Sequence, residues 1–428
     1  MSIFINRRTL LKRVASAAML PMAMRVMTSE AAAASQTILV VVDLSGGNDG
    51  LNTIVPLQQY GAYSGLRKNI GLAAPSLGLS FNSSPSTAIG SGTQYAFHPA
   101  MGHNLQKNGS PAMGGLPALY QQGRLAIVVG AGLPDTDSQR FDHACARDDW
   151  AVGKPNAWDF GGDGWLGLAL DNASAGLLGP TASMTSTKLI TKGQKYSGVV
   201  IGNQLSDFPT SFFGSAFPVS TSANWLAKPN TKSAAMAFSY GLSQRTFQAA
   251  QSVASINSTY SLADYPYLNG GGTYFEQQLS AVAQLIRGGA GVSGYVTELD
   301  GFDTHDNQTS QHPALLSNLS GGLANFYAYL KKYNVSSNVV IMTISDFGRT
   351  PHDNTANGTD HGLASVAFVL GDPVTGGVYG DYPSLTQLDE GQIPVTVNYQ
   401  NIISDVVTKI GGNPQTILGQ SYPRLGFI

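Results

Sequence analysis

Short apolar runs alternate with helical patterns along most of the chain. The strongest runs cover residues 37–42, 125–129, 339–344 and 366–370, and a weaker one covers residues 294–299. Each is short, rich in β-branched residues and followed by Asp, Gly or Ser, which is typical of buried strands. Strands that alternate with helices predict an α/β fold, with a mainly parallel central sheet and helices on both faces.

The helical patterns lie between these runs, where apolar residues recur every three or four positions. They cover residues 101–122, 234–256, 273–287, 314–332 and 401–410. The stretch 171–232 is rich in Ser, Thr and Gly and has little periodicity, so we interpret it as a small cap or β-rich insertion at a pocket mouth. The expected organisation is one α/β domain over residues 35–428.

The N-terminal segment has the pattern of an export signal. Arg7 and Arg8 precede a weakly apolar stretch, and small residues at 31–34 are typical of a cleavage site. The pattern predicts a twin-arginine signal over residues 1–34, with the twin-arginine export machinery as partner and a periplasmic or secreted location. An ordinary Sec signal or an uncleaved anchor is the alternative. The stretch is too short and too rich in Ala for a stable membrane span.

The composition excludes several classes of function. The net charge is −2, and loss of the leader removes five basic residues and one acidic residue. The mature chain is therefore mildly acidic, and no nucleic-acid partner is expected. The single cysteine, Cys145, excludes an intramolecular disulfide and a cysteine-based zinc cluster. The 50 glycines predict many tight turns and sites built on loops.

Asp and His residues gather near the ends of the predicted strands, where α/β sheets bind their ligands. Clustered carboxylates repel one another unless a cation lies between them, and this set of donors suits one or two divalent ions such as Zn, Mn, Ca or Fe. Taken singly, each residue could instead cap a helix or form a hydrogen-bonded pair. Their joint occurrence favours a metal site. The candidate ligands are Asp43, Asp300, Asp303, His305, Asp346 and His361.

Two further features near the same edge could bind an anion. The turn with Gly46, Gly47 and Asn48 could form a nest of backbone N–H groups, or it could be only a turn. Arg349 could clamp an anionic oxygen, or it could pair with Asp346. Both features suit an anionic substrate.

His98 and His143 are candidates for nucleophilic or acid–base work. His98 lies just before Pro99 at a predicted helix start, where anions are attracted, and His143 lies in a loop expected at the same edge. Either could instead be a structural loop histidine. A Gly-x-Ser-x-Gly elbow is absent from the sequence, and so is a Gly-x-Gly-x-x-Gly turn between strand and helix. A serine-triad hydrolase and a dinucleotide-binding protein are therefore disfavoured.

Taken together, these motifs resemble the bacterial domain-of-unknown-function 1501 family, whose activity is undefined. The likeness covers nearly the whole mature chain. The family is in turn distantly similar to the alkaline phosphatase superfamily, which includes sulfatases and metal-dependent phosphomutases. The motifs that carry the resemblance are the twin-arginine leader, residues 43–50, residues 97–99, residues 164–167, residues 300–305, residues 346–350 and residues 358–362.

The superfamily resemblance implies an alkaline-phosphatase-like fold and a two-metal hydrolase. Phe347 stands where the superfamily has a His next to the Asp, so the second metal site depends on His352, Asp360 or His143. The superfamily's metal ligands match Asp43, Asp300 or Asp303, His305, Asp346 and His361.

The place of the superfamily's nucleophile has no hydroxyl group. It corresponds to the tract at His98, and Ser45, Thr53 and Ser91 are weaker substitutes. Three possibilities stay open: a histidine nucleophile, direct attack by water at a metal, or a lost activity.

The sequence therefore predicts a periplasmic metal-dependent hydrolase of phosphate or sulfate esters, with an anionic ester as its substrate. His98, His143 and Arg349 are the predicted catalytic residues. The alternative is a catalytically inactive relative that is secreted as a binding or assembly factor for a cell-surface polymer or appendage. A metal-binding redox enzyme lacks a cofactor motif in the sequence.

Overall fold

The computed structural model of the chain describes residues 36–73, 80–82, 94–102, 114–133, 141–208, 211–212, 217–218, 234–267 and 272–428. The leader predicted over residues 1–34 and the candidate Ser91 lie outside these residues, so they stay predictions. Among the described residues, no helix is long and apolar enough to cross a membrane.

The chain divides into two compact units. The larger comprises Ser35–Phe208 and Ser252–Ile428, and it contains all the described candidate site residues. The smaller comprises Met1–Ala34 and Pro209–Gln251, in which a short antiparallel hairpin and most of a long helix are described.

The strands and helices are numbered in chain order. The strands are β1 Ile38–Ser45, β2 Ile54–Pro56, β3 Ser80–Phe81, β4 Tyr95–Phe97, β5 Leu125–Gly132, β6 Thr181–Ser183, β7 Val199–Val200, β8 Ser211–Phe212, β9 Phe217–Pro218, β10 Gly294–Asp300, β11 Val339–Ser345, β12 Gly348–Arg349, β13 His361–Gly362, β14 Ser365–Leu370, β15 Gly377–Tyr379 and β16 Val397–Asn398. The helices are α1 Gly50–Thr53, α2 Tyr60–Leu66, α3 Gly115–Gln121, α4 His143–Val152, α5 Ala157–Phe160, α6 Trp165–Leu170, α7 Ala234–Thr259, α8 Tyr274–Arg287, α9 Gln308–Lys332, α10 Tyr399–Lys409 and α11 Pro414–Leu418.

A nine-stranded sheet forms the centre of the larger unit, in the order β15-β5-β14-β11-β1-β10-β6-β7, with β16 also paired to β5. β1 lies between β10 and β11 and is parallel to both. Val40 and Val41, which point to opposite faces of β1, are both fully buried, so the sheet is covered on both sides. The prediction of an α/β fold with a mainly parallel sheet and surrounding helices is confirmed.

One strand runs against the predicted direction. β14 is antiparallel to β11 and to β5, whereas the alternation of strands and helices in the sequence predicts a mainly parallel sheet. A continuous apolar run indicates burial on both faces but does not encode direction. The reversal brings the start of β14, and with it His361, to the edge at which β1, β10 and β11 end.

The boundary of α9 also differs from the prediction. The helical pattern in the sequence begins at residue 314, directly after Pro313, a residue type that disfavours helix interiors. In the structure the helix begins at Gln308 and contains Pro313. The Gln308 side chain is hydrogen-bonded to Asp49 and Thr304, so buried contacts fix the first turn in spite of the proline.

The described part of the Ser/Thr/Gly-rich stretch is joined to the central sheet. β6 pairs in parallel with β10, and β7 pairs in parallel with β6. The loop after β6 carries Lys188 to the carboxyl edge of the sheet, where it contacts Asp43 and Glu298.

Candidate metal centre

Asp303 is the focus of a cluster at the carboxyl edge of the sheet. It lies in the loop after β10, whereas His143 begins α4 and His361 lies in β13. One ligand atom from each of these three residues can be chosen so that all lie within 4.8 Å of one another. The Nε2 atoms of His143 and His361 are each 3.5 Å from a carboxylate oxygen of Asp303.

His305 completes the cluster. Its Nε2 atom lies 3.1 Å from Asp303 Oδ1 and 2.9 Å from His361 Nε2. The side chains of Asp303 and His305 are 46% and 42% exposed, so a ligand can reach the cluster from solvent.

The other ring nitrogen of each histidine faces an oxygen atom. Nδ1 of His361 lies 2.7 Å from the carbonyl oxygen of Phe141, and Nδ1 of His143 lies 2.6 Å from Asp346 Oδ2. Nδ1 of His305 lies 3.1 Å from Asp360 Oδ1. Because these oxygens accept hydrogen bonds, they favour the tautomer in which Nδ1 carries the proton.

That tautomer leaves three Nε2 lone pairs directed toward a carboxylate. Such an arrangement is electrostatically unfavourable without a positive charge, and it is the arrangement in which histidine ligands usually hold a metal, with the second nitrogen on an oxygen acceptor. The imidazole and carboxylate donors therefore fit a divalent cation. The residues that would hold it are His143, Asp303, His305 and His361.

The surroundings of Asp303 and His361 keep these two donors in the form that binds metal. Burial alone raises the pKa of Asp303, but the hydrogen bond and charge of Arg349 outweigh it and lower the pKa below its ordinary value. Burial lowers the pKa of His361, and the positive charge of Arg349 lowers it further, although the Phe141 carbonyl opposes the shift. An ionised carboxylate and a neutral imidazole result at neutral pH.

Arg349 is a structural residue in this fold rather than an anion clamp. Its side chain is fully buried and donates to the carbonyl oxygens of Gly47 and Thr359 at 2.8 and 2.9 Å. Its Nη2 atom donates to the carbonyl oxygen of Gly46, to that of Phe302 at 3.0 Å and to Asp303 Oδ1 at 2.6 Å. Each of its three nitrogen atoms thus donates within the protein, which favours the structural alternative over a contact with substrate.

The glycine turn after β1 does not present a nest of free N–H groups. Gly46 N donates to Asp346 Oδ2, and Asn48 N donates to Ser345 Oγ. Gly46 has φ +114°, and a Cβ added there would lie 2.3 Å from Asp303 N. The turn therefore needs glycine for the close approach of two loops. The N–H groups of Gly46 and Asn48 are used within the protein, and an anion-binding role of Gly47 stays a prediction.

Asp43 faces a lysine that the sequence did not indicate as functional. Lys188 Nζ lies 3.3 Å from Asp43 Oδ2 and 3.1 Å from Glu298 Oε2. Burial raises the pKa of Asp43 to about 6, because the charge of Lys188 opposes this shift only in part and those of Asp346 and Glu298 add to it.

The described contacts of two predicted site residues, His98 and Asp300, do not include the cluster around Asp303. His98 is buried and accepts a hydrogen bond from Ala100 N, and its ring stands edge-on to His312 at 6.0 Å. Asp300, at the end of β10, is exposed and accepts a hydrogen bond from Gly301 N. These contacts indicate a buried polar cluster for His98 and a turn for Asp300.

Phe347 and Arg147 border the centre. The Phe347 ring is 4.7 Å from the His143 ring and 4.3 Å from the His361 ring, so it packs against both imidazoles. Arg147 lies one turn after His143 and donates from Nε to the His143 carbonyl at 3.0 Å. Its side chain is 43% exposed. An arginine after a histidine in a helix has no distinguishing pattern, so the sequence did not reveal it.

A family model described as a protein of unknown function, DUF1501, matches residues 202–422. The matched region contains Asp303, His305, Asp346 and His361, whereas His143 precedes it. No curated protein matches the sequence.

Solved structures are similar at low sequence identity. The alkaline phosphatase from the Antarctic bacterium TAB5 is 11% identical over 90% of this chain and 100% of that chain, with a TM-score of 0.32. A variant of alkaline phosphatase PafA is 13% identical over 74% of this chain, with a TM-score of 0.25, and the match spans 64% of the PafA chain. Ps i-CgsB is 10% identical over 92% of this chain and 75% of that chain, with a TM-score of 0.31.

Proposed function

The chain belongs to the DUF1501 family, and from that premise we propose that it is a metal-dependent hydrolase of phosphate or sulfate esters. The observation that carries the proposal is the convergence of three Nε2 atoms on Asp303, each on a ring whose Nδ1 faces an oxygen acceptor. The motif resemblance to the alkaline phosphatase superfamily supports the class of reaction. A bound divalent ion would polarise the ester and lower the pKa of an attacking group.

The protein's own contribution is a rigid and charged frame for that centre. Arg349 fixes the Asp303 carboxylate and keeps it ionised. The Phe141 carbonyl and Asp346 hold two of the imidazole rings, and Phe347 packs against both rings. Such outer contacts orient ligands and strengthen their basicity.

We propose that the guanidinium group of Arg147 binds the negatively charged oxygens of the ester. Its Nε atom donates to the His143 carbonyl and lies 3.8 Å from Asp346 Oδ2, and the side chain is 43% exposed beside the centre. Guanidinium groups bind phosphate and sulfate through two parallel hydrogen bonds. Arg147 thus takes the role that the sequence suggested for Arg349.

Water is the nucleophile that the arrangement favours. Among the described residues, Asp303, His143, His305 and His361 make no hydrogen bond to a Ser or Thr hydroxyl group, and Thr53 is hydrogen-bonded to Asn48 and Asp49 instead. His98 is buried among other contacts. We therefore favour direct hydrolysis over a covalent intermediate.

Export through the twin-arginine pathway is part of the same proposal. It rests on Arg7, Arg8 and the small residues at 31–34 in the sequence. A hydrolase placed in the periplasm would meet ester substrates of the cell surface and medium.

The test compares wild type with His361→Ala and with His352→Ala. Metal content is measured by elemental mass spectrometry, and activity is measured with p-nitrophenyl phosphate and p-nitrophenyl sulfate. Wild type should hold stoichiometric metal, and His361→Ala should lose metal affinity by more than about 100-fold, since the loss of an outer contact alone costs roughly 10–100-fold. Hydrolysis should fall with it.

His352→Ala is the matched control, because His352 is exposed and its described hydrogen bond is made by its backbone carbonyl. It should retain both metal and activity. A wild-type protein without stoichiometric metal, or a His361→Ala protein that matches the control in both measurements, would refute the proposal.

A further inference from the structure

Lys188 lies between two carboxylates on neighbouring strands. Asp43 of β1 and Glu298 of β10 are register partners in a parallel pair, so their side chains leave the same face of the sheet. Two like charges at such positions repel each other. The Lys188 ammonium group, 3.3 Å from one and 3.1 Å from the other, neutralises this repulsion.

A third carboxylate next to this pair is only partly satisfied. Asp346 follows β11, the other neighbour of β1, and is 1% exposed. Its Oδ2 atom contacts His143 and Gly46 and lies 3.8 Å from Arg147 Nε, whereas Oδ1 has no hydrogen-bond partner among the described residues. Its charge acts on Asp43. Asp43 and Glu298 thus share one ammonium group, and the Oδ1 atom of Asp346 next to them is left without a partner, which is costly for a buried carboxylate oxygen.

We propose that Lys188 is a built-in second cation, which fills with its ammonium group the position that a second divalent ion would take near Asp43 and Glu298. The inference rests on the proposed function, because it takes the histidine cluster as the place of the one exchangeable ion. Lysine is a compact point charge, so it can replace an ion between oxygen donors. Such a cation needs no loading and cannot be removed by a chelator.

The role of Lys188 predicts how many divalent ions each chain binds, and not only how active the chain is. Without the ammonium group, the carboxylates of Asp43, Glu298 and Asp346 would form an oxygen-rich site of the kind that Mn²⁺ and Mg²⁺ prefer. Lys188→Met should therefore gain an ion instead of losing one. Lys188→Arg keeps the charge and should not gain it.

The experiment counts Mn²⁺ bound per chain at neutral pH, from the electron paramagnetic resonance signal of free Mn²⁺ during a titration. We expect one ion in wild type and two in Lys188→Met. Lys192→Met is the matched control, because Lys192 pairs with Asp163 at 3.0 Å and its side chain is 51% exposed. This control should keep the wild-type count, and the double variant Lys188→Met/Glu298→Gln should return to it.

The outcomes separate the two proposals. Equal counts in Lys188→Met and wild type would overturn the role of Lys188 and leave the proposed function standing. A wild-type count of zero would overturn the proposed function, whereas a gain of one ion in Lys188→Met would still support the role of Lys188. If Lys188→Met unfolds without metal, recovery of its thermal unfolding transition on addition of Mn²⁺ supports the role, and failure to recover overturns it.

Discussion

Each imidazole of the centre has one nitrogen held by an oxygen atom, and the holders differ in their own rigidity. His143 is held by Asp346, which is buried, and His361 by a backbone carbonyl. His305 is held by Asp360, whose side chain is 62% exposed. His305 is thus the ring whose hydrogen-bond partner is the most exposed to solvent of the three.

A buried histidine outside the centre, His312, is expected to make the stability of the fold depend on pH. Burial lowers the pKa of His312 to about 3, and the charges of His98, Arg67 and Arg349 act in the same direction, against that of Asp49. The unfolded chain takes up this proton near pH 6.5, but the folded chain does not until about pH 3. The contribution of neutral His312 to the free energy of unfolding is thus fully present above pH 6.5. It is lost as the pH falls, by about 2 kcal/mol between pH 7 and pH 5.

Urea unfolding of metal-free protein at pH 7 and pH 5 measures this effect, with His312→Gln as the comparison. Glutamine can keep a hydrogen bond to Asn48, which His312 makes at 3.0 Å. The drop in the free energy of unfolding should be smaller by about 2 kcal/mol in His312→Gln than in wild type. Equal drops in the two proteins would show that His312 is not the responsible group.

The sequence identified several residues of the centre by type and position. Asp303, His305 and His361 are chemically distinctive and lie beside predicted strands, so they could be selected without a structure. The role of Arg349 could not be read in the same way. Whether a guanidinium group faces substrate or backbone depends on the carbonyl groups around it, and these come from loops distant in the sequence.

At the scale of elements, helix α4 positions one ligand by its first residue. Asp142 caps the helix by accepting hydrogen bonds from Ala144 N and Cys145 N, at 2.9 and 3.0 Å. Asp142→Ala should cost about 1 kcal/mol of stability. Without its cap the first turn of α4 should fray, and His143 is the first residue of that turn. Asp142→Ala should therefore also weaken Mn²⁺ binding by roughly 10-fold, as expected for a group that orients a ligand.

Asn413→Ala is the matched control for this prediction. Asn413 caps α11 by accepting a hydrogen bond from Thr416 N at 3.2 Å, and none of the residues of the centre lies in that helix. Urea unfolding and Mn²⁺ titration of both variants separate the two effects. Equal Mn²⁺ affinities in Asp142→Ala and Asn413→Ala would contradict a positioning role for the α4 cap.

Strand direction is the feature of the elements that the sequence could not supply. The run at β14 was identified correctly as buried, but its antiparallel direction follows from pairing with β11 and β5. Direction matters here because it decides which end of the strand reaches the centre. His361 precedes β14, so a parallel β14 would have placed it at the opposite edge of the sheet.

At the scale of the whole molecule, the centre joins parts of the chain that are far apart in sequence. The ends of β1, β10 and β11 converge because these parallel strands are neighbours, an order that the sequence did not specify. Lys188 arrives from a stretch with little periodicity, through β6 at the far side of β10. Its position is therefore a result of sheet assembly, and no local pattern could have predicted it.

Because of this convergence, a metal ion bound at the centre would add to the stability of the whole fold. His143, Asp303 and His361 come from three separate segments, so the complete set of donors exists only in the folded chain. At a free Mn²⁺ concentration 100 times the Kd, linkage predicts a gain of about 2.7 kcal/mol in the free energy of unfolding. Urea unfolding at buffered free Mn²⁺ measures this gain, which should be absent in His361→Ala. A gain of the same size in that variant would place the stabilising ion outside the histidine cluster.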